Sequence, residues 1–173
     1  ACTPGHSCAA GAINEIACDP GSYGDSADWT CKLCGEGSFQ GSNSQTSCET
    51  CPLGHACALG ASAPEPCAAG YFGDTLGQTS RECSGPCTQG HYCIDGSTSN
   101  TSGVCPAGRY NNLNGGTSED KACRPCEPGT TSTRGAAQCN LCAEAYYKPN
   151  INSPASECTV CNAIPGIRCG SDS

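Results

Sequence analysis

Residues able to build a hydrophobic core are scarce in this chain. Ile, Val, Leu and Phe together number 16 of 173, about 9%; Met is absent and Trp occurs once. That is well under the roughly 20% below which a chain is expected to stay disordered, because too little apolar surface is buried to offset the ordering entropy. No segment repeats apolar residues at i, i+3, i+4 and i+7 over three turns, so almost no helix is expected. No run approaches the ~20 apolar residues of a membrane span, so any membrane anchor is expected outside this sequence. Basic residues are few: eight Lys and Arg face sixteen Asp and Glu, net −8, which excludes the clustered cations that nucleic-acid phosphates require. Residues 1–86 carry nine of those acids against Lys32 and Arg81. This excess reads as the solvated surface of a core-poor chain. The alternative is a basic partner or divalent cation at the N-terminal end.

Cysteine is what the chain has in excess. Twenty in 173 residues is about 12%, above the roughly 8–10% that marks a disulfide scaffold. Cross-links replace the missing core by restricting the unfolded chain, at about 2–4 kcal/mol per bridge. The even count permits full pairing, and such density persists only in an oxidising compartment, so the protein is expected outside the cell, on its surface or in a secretory lumen. No signal peptide opens the chain, so a mature form or an excised piece is expected.

All three histidines lie in one five-residue frame: PGHSC (4–8), LGHAC (53–57) and QGHYC (89–93). The frame belongs to a repeat. Residues 51–83 align with 87–123: Gly54 on Gly90, His55 on His91, Cys57 on Cys93, Cys67 on Cys105, and Phe72 on Tyr110. The N-terminus repeats it with Gly5-His6, Cys8, Cys18, Gly21, Tyr23 and Cys31. Long repeats with four cysteines are therefore expected at 1–33, 51–86 and 87–125. Short repeats with two cysteines follow at 34–50, 126–141 and 142–160. Residues 161–173 begin a further long repeat, with Ile167 in the histidine place. C-x-x-C steps join them, and the whole reads as a slice of a longer array. The recurring C-x-x-G-x-(Tyr/Phe) start, followed by Gly, Asn, Asp and Ser, predicts a short strand turning back in a hairpin. The fold class expected is small and disulfide-rich: tandem short β-hairpins and loops in an elongated rod.

The pattern CxxCxxGxYx…CxxC, with its longer form CxxGHxCxxGS…CxAGxY, closely resembles the ephrin-receptor-like cysteine-rich repeats of animal, algal and protist extracellular proteins. The short repeat is also similar to the first module of tumour necrosis factor receptor repeats. The resemblance implies small extracellular modules and brings no catalytic residue. CEPGTTS departs from it, with Thr131 where an aromatic is expected.

Each C-x-x-G start has one following cysteine as its natural partner. This gives Cys2–Cys8, Cys18–Cys31, Cys34–Cys48, Cys51–Cys57, Cys67–Cys83, Cys87–Cys93, Cys105–Cys123, Cys126–Cys139, Cys142–Cys158 and Cys161–Cys169. A crossed scheme inside the long repeats, Cys51–Cys67 with Cys57–Cys83, is the rival.

Sharper chemistries compete with a plain scaffold. Zinc-ribbon spacing is approached at 31–51 and 123–142, but two overlapping sites would compete for Cys139 and Cys142. Redox catalysis at a C-x-x-C wants a thiol activated at a helix N-terminus. A Cys–His nucleophile wants a free thiol and an oriented base. None of these fits three near-identical copies, so no catalytic residue, metal or cofactor is expected. In C-x-x-G-H-x-C, glycine permits a positive-φ turn, and histidine offers a ring N–H to a backbone carbonyl. Trp29 and the tyrosines Tyr71, Tyr92, Tyr110, Tyr146 and Tyr147 read as packing between modules. Asn100-Thr101-Ser102 is the one N-glycosylation sequon, placed in the longer loop between Cys93 and Cys105. The expected function is a non-catalytic extracellular structural protein, a repeat segment of a surface coat, fibre or filamentous appendage. Its partners would be copies of itself or sister proteins, meeting at small apolar spots such as Leu53, Leu59, Tyr71 and Tyr146–Tyr147. The alternative is a ligand-binding or adhesive receptor ectodomain.

Overall fold

A computed structural model describes residues 2–9, 14–142, 146–147 and 159–160. The side chains of 146–147 and 159–160 are not part of that description, so the contact role expected for Tyr146 and Tyr147 lies outside it. The bridges expected for Cys142–Cys158 and Cys161–Cys169 also involve residues outside the description.

Cysteine fills the interior. Among the described residues, the largest side chains less than 2% exposed are all Cys: Cys18, Cys34, Cys51, Cys57, Cys67, Cys87, Cys93, Cys105 and Cys126. Cys123, Ala56 and Ala122 are the other buried apolar residues, while Ile16, Leu33, Leu53, Leu59, Leu76, Ile94, Leu113 and Leu141 are exposed. The scarce aliphatics are thus not hoarded inside. The sulfurs take their place, as free or bridged cysteine does among the most buried residue types.

One hairpin recurs. It opens at a start cysteine, passes a glycine three residues on, runs a short strand, turns, and returns to the next start. Start cysteines fall at 2, 18, 34, 51, 67, 87, 105 and 126. The paired strands include His6–Ser7 with Ile16–Ala17, Ser22–Asp25 with Thr30–Leu33, and Ser38–Phe39 with Glu49–Thr50. His55–Ala56 with Glu65–Pro66, His91–Tyr92 with Gly103–Val104, and Arg109–Tyr110 with Arg124–Pro125 follow. Thr130–Thr131 pairs with Asn140–Leu141, and Tyr146–Tyr147 with Thr159–Val160. All are antiparallel. The one helix among the described residues is the single turn Glu119–Ala122. Thr131 pairs with Asn140 although no aromatic ring is present, so the strand does not depend on one.

Two-residue strands are too short to stand alone. They are held by main-chain hydrogen bonds to the next hairpin. The same three recur at most junctions. The Gly37 N–H donates to Cys57 O (2.8 Å), the Gln40 N–H to Ala61 O (3.1 Å), and the Gly60 N–H back to Cys34 O (2.8 Å). One hairpin on, Gly54 N–H donates to Gly73 O, Cys57 N–H to Gln78 O and Gly77 N–H to Cys51 O. The set returns at Gly90 N–H to Asn111 O, Cys93 N–H to Gly116 O and Gly115 N–H to Cys87 O, and again between the hairpins of Cys105 and Cys126.

Contacts also reach past the nearest neighbour. A Cβ built on Gly21 would collide with the carbonyl of Gly60, one on Gly37 with that of Gly77, one on Gly54 with that of Gly96, and one on Gly90 with that of Gly135. Each partner lies two hairpins further along. The start glycine therefore serves as the seat for another backbone as well as for its positive φ.

By internal contacts the chain divides into two compact units, residues 1–85 with 95–98, and residues 86–94 with 99–173.

Three consequences can be measured. Gly90→Ala should destabilise by at least about 2 kcal/mol, since the methyl meets backbone and the left-handed φ of 77° disfavours a Cβ. Ser44, at φ 58°, occupies the turn position that glycine holds in later hairpins, so Ser44→Gly should stabilise by up to about 1 kcal/mol in thermal unfolding. Loss of the Cys34–Cys48 bridge should cost about 3 kcal/mol, and full reduction should abolish the near-native circular dichroism; an unchanged spectrum after reduction would refute the disulfide core.

Candidate functional site

The structure brings the cysteines together as Cys2–Cys8, Cys18–Cys31, Cys34–Cys48, Cys51–Cys57, Cys67–Cys83, Cys87–Cys93, Cys105–Cys123 and Cys126–Cys139. Cα–Cα separations of 5.4 to 6.1 Å suit a disulfide. Cys51 bonds Cys57 and Cys67 bonds Cys83, so the crossed arrangement is not the one adopted. The bridges are of two kinds. In the hairpins of Cys2, Cys51 and Cys87 the partner lies six residues on, in the first arm; elsewhere it lies 13 to 18 residues on, at the returning arm.

The place of the early partner, three residues after the start glycine, is instructive. It holds Cys8, Cys57 and Cys93 in those hairpins, and Gln40, Asn111 and Ser132 in three of the others. Gln40, Asn111 and Ser132 are all buried. Each uses its polar group on the backbone: Gln40 Nε2 donates to Ser47 O (2.9 Å), Asn111 Nδ2 to His91 O (2.9 Å) and Ser132 Oγ to Arg109 O (2.7 Å). Among the described residues no buried side-chain N or O lacks a partner.

The three histidines act alike. Each ring Nδ1–H donates to the carbonyl two residues earlier: His6 to Pro4 (3.3 Å), His55 to Leu53 (3.0 Å) and His91 to Gln89 (2.9 Å). That bond assigns the proton to Nδ1 in the neutral ring. In every copy it closes the loop that carries the start glycine. His6 Nε2 is also 3.5 Å from Ser44 Oγ. The imidazoles face backbone and a hydroxyl, with no thiolate beside them to activate.

Among the described residues one trio of ligand atoms, from Cys2, Cys8 and Glu15, lies within 4.8 Å of one another. The two sulfurs are joined in a disulfide, which removes the thiolates a soft metal would take, and Glu15 accepts from Thr3 N–H (3.1 Å). That hydrogen bond holds the Glu15 carboxyl below its usual pKa. A second charged group sits on the Ser22–Asp25/Thr30–Leu33 hairpin, where Lys32 Nζ bonds Asp25 and lies 3.2 Å from Asp28. Asp25 is lowered first by Lys32 and then by the Ala27 N–H; Asp28 first by Thr30 and then by Lys32. Lys32 is raised by Asp25 and then by Asp28.

Asn100 of the sequon lies in the turn that the Ser102 N–H closes onto Ser99 O (3.2 Å), with Thr101 exposed beside it. Its carbonyl accepts from the Thr88 N–H (3.2 Å), which anchors the turn. A feature that sequence reasoning passed over is a pocket of 160 Å³ beside the one-turn helix, lined by Lys121 and Arg124 with Leu113, Asn114 and Thr117. Two cations three residues apart look like ordinary surface charge until the loop is folded under them.

Two measurements test these roles. His55→Ala and His91→Ala should each cost about 1 kcal/mol of stability, the worth of one hydrogen bond to a backbone carbonyl, with no response to added metal. The Asp25 and Asp28 pKa values are lowered on folding, so their stabilisation is present above the ordinary carboxyl value of about 3.9 and fades as pH falls through the lowered one. The Lys32 part is lost only as pH rises past about 10.4. Lys32→Ala should move the Asp25 midpoint up in an NMR titration; an unmoved midpoint would show the pair to be idle.

The family model described as tyrosine-protein kinase ephrin type A/B receptor-like matches residues 21–67. No curated protein matches the sequence. The matched stretch runs from the start glycine Gly21 through the whole hairpins of Cys34 and Cys51 to the start cysteine Cys67, and it contains both kinds of bridge. With its cysteines bridged and its histidine turned onto backbone, this part of the chain is a cysteine-rich ephrin-receptor-like repeat.

Proposed function

We propose that the chain is a non-catalytic, extracellular repeat segment of a structural assembly, such as a surface coat, fibre or appendage. The observation that carries this reading is the junction between hairpins. It is made of main-chain hydrogen bonds and glycine seats, so the same joint serves any number of hairpins whatever their remaining side chains. That is an economical way to add length without a folded core. Disulfide density and the family match both favour an oxidising, extracellular setting. No helix of the described residues is long and apolar enough to cross a membrane.

The second reading, a receptor ectodomain, draws on the family's description, which names ephrin-type receptor kinases. Immunogold electron microscopy of the native source separates the two. Label along a continuous coat or fibre supports the structural reading; label on dispersed molecules that capture a soluble ligand overturns it.

Asn100 carries an N-linked glycan in this proposal, since its turn is anchored and its flanking Thr101 is open to solvent. Glycosidase release should convert Asn100 to Asp in the secreted protein, and Asn100→Gln should remove the associated mass. Unmodified Asn100 in protein from the native source would refute this.

A further inference from the structure

The charge of the chain is segregated. Residues 1–85 with 95–98 hold ten acids against Lys32 and Arg81, whereas residues 86–94 with 99–173 hold six acids against six bases. The whole net charge therefore belongs to the first unit. The second unit carries the pocket of 160 Å³ noted above, and two of its six cations line it.

The pocket is built by the fold. Asn111 is 3% exposed; its Nδ2 donates to His91 O and its Oδ1 accepts from the Leu113 N–H (3.1 Å), which pins the start of the loop. The Gly115 N–H donates to Cys87 O (2.8 Å) and pins its end. Lys121 enters from the helix Glu119–Ala122, and Arg124 from the return strand Arg124–Pro125. Glu119 and Asp120 do not line the pocket. Among the described residues neither Lys121 nor Arg124 is in a salt bridge. The result is a guanidinium and an ammonium, the amide of Asn114, the hydroxyl of Thr117, and one apolar wall, Leu113. Arginine's planar fork matches a carboxylate, and Leu113 can cover the methylenes of the side chain that brings it.

Arg124 also has a revealing position. It lies two residues before a start cysteine, on the exposed return strand of its hairpin. Glu49 and Glu65 hold that same place in the hairpins of Cys34 and Cys51, equally exposed and, among the described residues, without an ion pair. The same place holds Lys32 in the hairpin of Cys18, but Lys32 is taken by Asp25 and Asp28, so the charges left open at this scaffold position are carboxylates on the acidic unit and a cation on the neutral one. We propose that the Lys121–Arg124 pocket receives the Glu49 and Glu65 carboxylates of a second copy of this chain. The proposal rests on the structural reading above, since it names the contact through which copies meet. Opposite charge at different sites makes the contact head-to-tail rather than self-paired, the kind that runs on into a filament when its rotation does not close.

The test is sedimentation velocity of the full oxidised chain at low salt and at about 0.15 M, where exposed pairs are screened beyond about 8 Å. The wild type should associate, less at the higher salt. K121E/R124E and E49K/E65K should each weaken association about tenfold or more, as loss of close charge pairs at an interface does. Mixed together, the two reversed variants should associate again. All four positions are exposed, and a zero count of free thiols with an unchanged far-UV spectrum verifies each variant's fold. If the wild type associates and both variants match it, or if the mixture fails to recover, the pocket contact is wrong while self-association stands. If the wild type does not associate at all, the contact and the structural reading beneath it both fall. A third arm adds an oligogalacturonate: binding that is lost in K121E/R124E, with self-association intact, would assign the pocket to an acidic sugar and overturn the proposal.

Discussion

The structure depends on one constraint: every backbone N–H and C=O must find a partner in a chain whose strands are mostly two residues long. A hairpin of that length satisfies few of its own groups. The remainder are satisfied by the next hairpin, through the start glycine, the residue three beyond it, and the turn residue, as at Gly37, Gln40 and Gly60. Each such bond returns only about 0.5–1.5 kcal/mol net, but leaving the group buried and bare costs more. The ladder is therefore compulsory before it is stabilising. It also accounts for much of glycine's share of the sequence, because at one end of the rung the start glycine lies where a side chain would strike a backbone carbonyl, and at the other the turn glycine holds a positive φ.

The disulfides answer a different need. Backbone bonds fix neighbouring hairpins to one another, yet they do little to lower the entropy of an unfolded chain with no core to collapse on. A bridge inside each hairpin does so. Since the ladder is indifferent to where that bridge sits, the hairpin tolerates two positions for the second cysteine. Where the early position is given up, at Gln40, Asn111 and Ser132, a buried polar side chain takes over and bonds a nearby carbonyl. Among the described residues the stretches 51–86 and 87–125, with four cysteines, are each two hairpins, one of either kind, and 34–50 and 126–141 are each a single hairpin with the late bridge. Polar replacement at a buried site works here because the partner carbonyl is already in place, so no acceptor is left bare.

Much of this was legible in the residues. Cysteine frequency announced the disulfide scaffold, the recurring C-x-x-G with a following aromatic announced the hairpin, and the shared frame of His6, His55 and His91 announced a structural histidine. The contacts two hairpins apart were not legible, because backbone packed against backbone leaves no side-chain signature beyond glycine. Glycine is equally demanded by positive φ, and the two causes look identical in sequence. Ser44 was hidden for the converse reason: a left-handed turn need not be glycine when the hydroxyl has a neighbour such as His6. The Lys121–Arg124 pocket was invisible because its walls are set by Asn111 and Gly115, which bind carbonyls of His91 and Cys87 far away along the chain.

A joint made of main chain carries no specificity. Any two hairpins of this kind can meet at it, so it cannot by itself decide what the array recognises or in what order its parts assemble. That information has to be carried by side chains outside the ladder, and the return strands are where they are free to vary: the place two residues before each start cysteine holds Ile16, Lys32, Glu49, Glu65, Gly85, Gly103, Arg124 and Asn140 in turn. Most of these are exposed, and their exchange disturbs neither bridge nor rung. Charge at this position is thus the cheapest variable the scaffold has. A protein assembled from such hairpins would acquire partners by changing the sign along one edge while its cysteines and glycines stay fixed.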